Sequence, residues 1–531
     1  MVAEAPPQIA ARSEKWEAWA LRVKRSSFCG SLISLGPGSM LFRQFEVLES
    51  GHLGREVFEK LGPPLTVLTP DCNPPAMNFP CKVGFVILSG TIACLQAADL
   101  WQAGAGRERI TPEEEMWMAG YSSRKGPAEG KVTDLWAKAL VLDDGKGNRG
   151  VVVTPDLVGI DREISGKVLA RIKKEFGLKR HQVSLCTSHT HSGPVVGRNL
   201  APMHYALLEP EEQRRIDDYA EQLPDRVCRA VNEAINSLAP AKVQWGNGKA
   251  TFAVNRRENR PYNSVPDLRA RGALKGPVDH DVPVLSVRGE EGKLRAILFG
   301  YACHATTLNL QQWNGDYPGY AQTALEKAYP GATALFWAGC GADQNPLPRR
   351  SVELAERYGR ELAGAVQDVL SSPMPPLDPS LALRFQEIEL KLQKLPGPAE
   401  LKEEMQSGNP YVAARARMFQ KRLESQGALK GAYPYPVLFW KLGGEIDFIS
   451  LGGEVVVDYS LRLKRELHGK RTWVAGNTND VMAYIPSLRV HREGGYEGGG
   501  ANIYYGLPGV WEEGVEEVIL STVHELSRKE D

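Results

Sequence analysis

The sequence lacks a charge surplus, a cysteine scaffold, internal repeats and a low-complexity tail. Lys and Arg together number 64, as do Asp and Glu, so the formal net charge is zero. Because nucleic-acid-binding proteins usually carry a basic surplus, we expect no nucleic-acid partner. Eight cysteines in 531 residues are too sparse for a disulfide scaffold, and none forms a CxxC zinc-binding pair. The composition, 42% hydrophobic and 24% charged, is typical of a globular protein with a large core.

No hydrophobic run is long enough to span a membrane as a mature helix. However, Met77 and Lys82 precede an apolar run at 83–93 and small residues at Ala97 and Ala98. This order is typical of a secretory signal peptide. We therefore predict a natural start at Met77, a signal peptide over 77–98 and a secreted or periplasmic protein, with residues 1–76 a non-native or disordered extension. The alternative is that the run is a buried edge strand of a genuine N-terminal domain.

Strand and helix patterns alternate after residue 99, which predicts an α/β fold. We expect a layered mixed sheet with helices packed on it, long active-site loops, and one catalytic domain over 99–531. A charged stretch near 396–431 reads as a helical insertion over the site, either a lid or a membrane-docking surface. The predicted strands are 137–142, 150–154, 183–186, 242–245, 281–287, 294–301, 333–338, 381–392, 445–451 and 472–475. The predicted helices are 160–176, 210–238, 318–329, 352–370, 457–468 and 512–526.

The most informative motif is Cys-Thr-Ser-His-Thr-His-Ser-Gly-Pro at 186–194. Side chains two residues apart share one face of a strand, so we expect His189 and His191 to project from a strand end into one site. Two neutral imidazoles in that arrangement suit a zinc ion. The alternative is a pair of hydrogen-bonded polar histidines without a metal.

Further polar motifs follow predicted strands, where an open α/β sheet places its site. They are Gly300–Asn309 with His304, Gly315–Tyr320 together with Trp337–Pro346, Leu451–Glu454, and Asn477–Tyr484 with Gly494–Gly498. In this order and spacing, from about Gly104 to Tyr505, they resemble the neutral/alkaline, non-lysosomal ceramidase family. That family carries a His-Thr-His-Ser-Gly-Pro motif, a second histidine, an Asp-x-x-Gly-Tyr segment, a Gly-Asp-Val-Ser-Pro loop, a Pro-Gly-Glu metal ligand and a Tyr-Glu-Gly segment.

The resemblance implies a ceramidase-like zinc hydrolase that cleaves an amide into an amine and a fatty acid. It implies a Zn²⁺ ion held by His189, His304, Glu454 and Tyr484. It also implies that His191 transfers protons, while Arg256 and Tyr496 hold the reacting carbonyl group. A lipid-like amide substrate would bring the protein into peripheral contact with a membrane.

General chemistry leaves simpler roles open for several of these residues. Glu454 fits a helix N-terminal carboxylate, Tyr484 a core tyrosine, and Arg256 a surface charge. Asp316 and Asp343 either orient the histidines or begin turns.

Two departures from the family pattern bear on the substrate. The family's loop serine falls at Asn345, which cannot act as an alcohol nucleophile, and we expect no counterpart of the family's C-terminal immunoglobulin-like domain. We therefore favour direct attack by zinc-bound hydroxide, with Asn345 donating a hydrogen bond to the intermediate. Two alternatives stay open: a zinc amidase or esterase with another substrate, and a non-catalytic lipid-binding relative.

Overall fold

The computed structural model describes residues 100–529, so the predictions for 1–76 and for the signal peptide at 77–98 lie outside the described residues. The strands are β1 Trp101–Arg109, β2 Trp136–Asp143, β3 Arg149–Pro155, β4 Val183–Leu185, β5 Ala239–Lys249, β6 Ala253–Asn255, β7 Asp281–Gly289, β8 Leu294–Tyr301, β9 Thr333–Ala338, β10 Gln344–Pro346, β11 Leu381–Lys391, β12 Ala432–Leu442, β13 Ile446–Leu451, β14 Glu454–Val455, β15 Thr472–Ala475 and β16 Tyr484–Ile485. The helices are α1 Arg162–Phe176, α2 Pro210–Asn236, α3 Val265–Ala270, α4 Asp316–Ala328, α5 Val352–Ser371, α6 Pro398–Glu404, α7 Pro410–Gln426, α8 Val457–Glu466, α9 Leu488–Glu493, α10 Asn502–Tyr505 and α11 Val515–Arg528.

Two sheets form the centre of the fold. The larger sheet has the strand order β4-β3-β2-β1-β5-β7-β8-β9 and is mixed. Its inner pairs are antiparallel, whereas the β3–β4 and β8–β9 pairs at its two edges are parallel. The smaller sheet has the order β11-β12-β13-β15, with one parallel pair between β13 and β15.

Side chains from both sheets share one buried cluster, so the sheets pack face to face. This cluster includes Trp101 and Leu285 from the larger sheet and Trp440 and Phe448 from the smaller one. Helices α1, α2, α4 and α5 cover the outer face of the larger sheet, and α8 and α11 cover that of the smaller sheet. The fold is therefore four layers, helix–sheet–sheet–helix, and the predicted α/β class with a layered mixed sheet is confirmed.

The site loops follow the carboxyl ends of strands β4, β8, β9, β13 and β15. Short strand pairs hold these loops together beyond the sheets: β6 pairs with β10, and β14 pairs with β16. The predicted insertion at 396–431 contains helices α6 and α7. Within residues 100–529, no helix is both long and apolar enough to cross a membrane.

Candidate metal centre

Three buried histidines converge on one point. One ring nitrogen from each of His189, His191 and His304 lies within 4.8 Å of the other two, an arrangement that could hold a metal ion. The Nε2 atoms of His189 and His191 are 3.2 Å apart. The first motif and the second histidine, which the sequence separates by more than a hundred residues, therefore meet in one site.

The backbone that presents His189 and His191 is a loop and not the predicted strand end. Strand β4 already ends at Leu185, and His189 has a φ of 61°, in the left-handed region. Thr190 instead forms an isolated parallel bridge with Ala305, and the backbone N–H of His191 donates to the carbonyl of Ala305 at 3.2 Å. The two histidines share a site because this bridge ties their loop to the loop of His304.

Each histidine is fixed by a backbone carbonyl group at Nδ1. The partners are Val158 O at 2.5 Å for His189, Gly120 O at 2.9 Å for His191 and Gly341 O at 2.8 Å for His304. A carbonyl oxygen can only accept a hydrogen bond, so each Nδ1 carries the proton and each Nε2 presents a lone pair. This tautomer and orientation are typical of metal-ligating histidines.

The contact with Gly120 requires a glycine. Its φ is 90°, and a Cβ atom at this position would lie 2.5 Å from the ring of His191. An alanine there would displace the imidazole or the carbonyl that holds it.

Glu454 and Tyr484 lie directly opposite each other on the parallel strands β14 and β16. The Oε2 atom of Glu454 is 3.3 Å from Nε2 of His189 and 3.1 Å from Nε2 of His304. The hydroxyl group of Tyr484 is 3.3 Å from the same nitrogen of His304. Glu454 therefore faces the histidines and does not cap a helix, and Tyr484 directs its polar end into the site.

Electrostatics keep His191 and His304 neutral and the carboxylate of Glu454 charged. Burial, with the neighbouring His189 and His304, holds the pKa of His191 well below 6.5. Burial and the charge of Arg256 lower the pKa of His304 to about 4. Burial alone would raise the pKa of Glu454, but His189 and His304 outweigh it and hold this pKa well below 4.5.

These groups fit a cation. Oε2 of Glu454 is buried without a hydrogen-bond partner, although it faces two imidazole nitrogens. Acceptors that face one another repel unless a cation or a proton lies between them, and the low pKa values of His191 and His304 disfavour the proton. Imidazole and carboxylate ligands suit Zn²⁺.

Arg256 lies in the site and not on the surface. Its side chain is 11% exposed, and its Nε donates to Oε1 of Glu497 at 2.7 Å. Nη2 donates to the Tyr484 hydroxyl at 3.1 Å, and Nη1 is 3.4 Å from Nε2 of His304. The carboxylate of Glu497 therefore holds a guanidinium group against two of the residues that surround the metal position.

Asn345 and Tyr496 both lie next to this arginine. Asn345 is buried on β10, opposite Val254 of β6, and its Oδ1 accepts from Arg256 Nη1 at 3.5 Å. Tyr496 is 42% exposed, its ring centroid lies 5.2 Å from that of Tyr484, and Arg256 Cζ lies 5.6 Å from its ring. Tyr496 is thus the exposed edge of the site, where an incoming substrate can contact it.

Asp316 and Asp343 do not orient the histidines. Asp316 accepts from the backbone N–H groups of Leu308 and Tyr317, and Asp343 accepts from Val457 N–H and the Asn255 amide. Backbone carbonyl groups, which no sequence motif marks, take the orienting role instead.

The sequence did not predict three residues that contact the site. The Tyr505 hydroxyl donates to Oε1 of Glu454, the Asn477 amide lies 3.0 Å from Nδ1 of His189, and the ring of Tyr121 lies 4.9 Å from that of His191. Glu497 lies in the Gly494–Gly498 segment of the family resemblance, so the sequence does offer it as a partner for a buried arginine. Tyr505 and Tyr121 carry no local signal.

The fold and the converging ligands define a layered α/β protein with a buried candidate metal centre. Residues 101–342 match the family model of the neutral/alkaline non-lysosomal ceramidases, N-terminal region. The chain is 28% identical over 233 residues to a neutral ceramidase of Pseudomonas aeruginosa, covering 43% of this chain and 34% of that protein. It is 27% identical over 241 residues to neutral ceramidase A of Dictyostelium discoideum, covering 44% and 33%. The resemblance that the motifs indicated is therefore confirmed.

These alignments span about a third of the length of the curated relatives. The fold likeness extends further: the crystal structure of the Pseudomonas aeruginosa neutral ceramidase superposes with a TM-score of 0.62 at 20% identity, covering 81% of this chain and 75% of that one. His189, His191, Arg256 and His304 lie inside the region that the family model matches, whereas Asn345, Glu454, Tyr484 and Tyr496 lie beyond it.

Proposed function

We propose that the chain is a zinc-dependent hydrolase of amide bonds that acts on an N-acyl, ceramide-like substrate. The observation that carries the proposal is the buried, unpartnered Oε2 of Glu454, which faces Nε2 of His189 and His304. The family resemblance supports the reaction class, because the matched relatives are named neutral ceramidases.

The residues that would hold the ion are His189, His304, Glu454 and Tyr484. When bound, a zinc ion lowers the pKa of a water molecule to about 7 and polarises a carbonyl oxygen. The tyrosine follows from the family pattern, since histidine, cysteine and carboxylate are the usual zinc ligands.

His191 is the proton acceptor in this proposal. Its Nδ1 is committed to Gly120 O, its Nε2 lone pair faces the site, and its lowered pKa keeps it neutral near pH 7. A neutral imidazole can take a proton from the attacking water and return it to the leaving amine.

Arg256 supplies hydrogen-bond donors where negative charge grows on the tetrahedral intermediate. Its Nη1 and Nη2 already lie beside His304 and Tyr484, and Glu497 fixes the plane of the guanidinium group. Such a preorganised donor stabilises the transition state more than the ground state. Tyr496 adds a hydroxyl group at the exposed edge, and Asn345, which contacts Arg256 Nη1, can donate an amide N–H.

Asn345 favours a second candidate, an amide or ester other than ceramide. A carboxamide cannot act as the alcohol nucleophile that the family serine is thought to provide, and Asn345 is buried beside Arg256 where that group would react. The chemistry at the metal would be unchanged, but substrate choice and rate would differ.

A lipid substrate implies peripheral contact with a membrane, and the helical insertion adjoins the exposed edge of the site. Tyr411 in α7 lies 5.1 Å from the ring of Tyr504, which lies 6.1 Å from that of Tyr496. A lid and a docking surface are both consistent with this position. Export of the protein, predicted from the segment that begins at Met77, stays a prediction.

The experiment combines metal analysis of the purified protein with turnover of fluorescent N-acyl amides, including ceramide, with and without a chelator. We expect about one zinc per chain, chelator-sensitive turnover, and loss of both in His304→Ala. His524→Gln, a histidine paired with Glu466 on α8, is the matched control and should keep both. Full zinc content in His304→Ala would refute the ligand set. Turnover of short amides but not of ceramide would select the second candidate, and lipid binding without turnover would indicate a non-catalytic relative.

A further inference from the structure

Two consecutive arginines, Arg349 and Arg350 (the arginine pair), lie beside the candidate metal centre. Nη1 of Arg350 donates to the Tyr121 hydroxyl at 3.0 Å, and its Cζ lies 4.9 Å from the centroid of that ring. Tyr121 also donates to Leu308 O at 2.8 Å, and its ring lies 4.9 Å from that of His191, centroid to centroid. One aromatic ring therefore separates the Arg350 guanidinium from the proposed proton acceptor.

Arg349 lies near Arg256, with Tyr262 in contact with both residues. Its Cζ lies 5.7 Å from the ring of Tyr262, whose hydroxyl donates to the backbone carbonyl of Arg256 at 3.4 Å. Burial, and then the positive charge of Arg350, lower the pKa of Arg349, and the charge of Arg256 adds to the effect. These cations therefore lie close enough to repel one another.

No carboxylate neutralises the arginine pair within residues 100–529. Neighbouring arginines are paired: Arg257 binds Glu497 and Glu493, and Arg360 binds Glu356. Asp316, whose charge reaches Tyr121, is held by backbone N–H groups. Arg349 is half-buried and Arg350 is exposed, and like charges gathered at one place attract anions.

The backbone of Arg350 is held in a conformation that side chains rarely adopt. Its φ is 95°, and its N–H donates to Thr307 O at 2.7 Å. Such strain costs free energy and is typically found where a side chain must point in a functional direction. The guanidinium group of Arg350 lies against Tyr121.

We propose that the arginine pair binds an anionic group of the substrate, a carboxylate or a phosphate, next to the scissile amide. This inference rests on the proposed function and names its substrate class: N-acyl compounds with an anionic head group. A guanidinium group binds either anion through two parallel hydrogen bonds, a geometry that a neutral head group does not use.

The test uses the metal-loaded full chain and three probes with the same acyl chain: N-dodecanoylglycine, N-dodecanoylphosphoethanolamine and N-dodecanoylethanolamine. We expect kcat/KM for an anionic probe to exceed that for the neutral ethanolamide about tenfold or more, because hydrogen bonds between charged groups are worth this much. Preference for the glycine probe identifies a carboxylate, and preference for the phosphoethanolamine probe identifies a phosphate. Equal kcat/KM for all three probes would overturn the inference.

Substitutions test whether Arg349 and Arg350 cause the preference for anionic probes. In the double variant Arg349→Gln with Arg350→Gln, the preference ratio should fall toward one, mainly through a higher KM for the anionic probe. Arg350→Lys keeps the charge but loses the fork, so its ratio should be intermediate. Arg360→Gln, an exposed arginine on α5, is the control for general surface charge and should keep the parent ratio. An unchanged ratio in the double variant would contradict the assignment.

Two measurements keep the test informative if a variant fails to fold or no probe is cleaved. In the parent protein, the preference should weaken as salt rises from 0.05 to about 0.5 M, because ions screen the attraction; a salt-independent preference would contradict the inference. If no probe shows chelator-sensitive turnover, the proposed function fails, and calorimetric titration of the same probes then tests the arginine pair alone. Tighter binding of an anionic probe by the parent than by the double variant supports the anion site, and equal affinity overturns it.

Discussion

The hydroxyl group of Tyr505 donates a hydrogen bond to Oε1 of Glu454, while Oε2 of the same carboxylate faces Nε2 of His189 and His304. The tyrosine thus fixes the rotation of a carboxylate that β14 places in the site. Loss of a group that orients a metal ligand typically weakens metal binding about 10- to 100-fold.

Tyr505→Phe should therefore bind zinc about 10- to 100-fold more weakly than the parent while it keeps the fold, since only one hydroxyl is lost. Competition with a zinc-binding dye measures the affinity. Tyr504→Phe is the control, because the adjacent ring packs against Tyr411 and Tyr496 without touching Glu454. Equal zinc affinities in the two variants would show that the hydrogen bond from Tyr505 does not orient the ligand.

His191 has two possible roles, as a metal ligand or as a proton-transfer group, and a substitution distinguishes them. Its Nε2 lies 3.2 Å from that of His189, so geometry alone permits either role. If it transfers protons, His191→Gln should keep about one zinc per chain while kcat falls about 100- to 10,000-fold. Metal analysis and steady-state kinetics on the same preparation check this. A fall in zinc content in parallel with activity would make His191 a ligand instead.

Glu497 holds two arginines at the site. Its Oε1 accepts from Arg256 Nε at 2.7 Å, and its Oε2 accepts from Arg257 Nη1 at 2.6 Å. Removing the charge leaves the buried guanidinium group of Arg256 without its salt-bridge partner, whereas Arg257 keeps Glu493, so Glu497→Gln should lower the free energy of unfolding by about 3 kcal/mol and reduce kcat. Glu493→Gln is the control, because that carboxylate is 37% exposed and contacts Arg257 but not Arg256. Urea unfolding and kinetics would contradict the prediction if both variants behaved alike.

The sequence predicts those elements of the fold that have a clear local hydrophobic periodicity. Long periodic elements such as α2 and α5 and the apolar strands β8 and β9 lie within a few residues of their predicted ranges, because burial and period agree. Strand β12 escaped prediction because Pro434 and Pro436 interrupt it. Both prolines lie where β12 pairs only with β11, since its pairing with β13 begins at Val437, so a missing N–H is tolerated there.

The sequence predicts the site residues that belong to motifs. It does not predict the backbone contacts that hold those residues in place. The side chains of His189, His304, Glu454 and Tyr484 lie close together, and their role as metal ligands stays a prediction. Their convergence depends on the Thr190–Ala305 bridge and on carbonyl groups such as Gly341 O, which any sequence provides. The substrate side, with Tyr505 and the arginine pair, depends on contacts between distant segments and carries no motif.

Asp480 makes stability depend on pH in a defined window. Burial raises its pKa to about 7, although the Tyr433 hydroxyl at 2.8 Å and Arg162 at 3.9 Å favour the charged form. Its ordinary value is 3.8. Asp480 is therefore protonated to a greater extent in the folded chain than in the unfolded chain between about pH 4 and pH 7, and its contribution to stability falls as pH rises through this range.

Asp480→Asn removes this titration and keeps a hydrogen-bonding side chain of the same shape. The free energy of unfolding of the variant minus that of the parent should therefore rise between pH 4 and pH 7, by up to about 4 kcal/mol, and level off above pH 7. Buried histidines such as His304, whose pKa is lowered to about 4, act in the opposite direction, but they are common to both proteins and cancel in the difference. Urea unfolding of both proteins at half-unit pH steps measures it. A difference that stays constant from pH 4 to pH 7 would show that Asp480 is already ionised in the folded chain at acidic pH, so that the Tyr433 and Arg162 contacts outweigh burial.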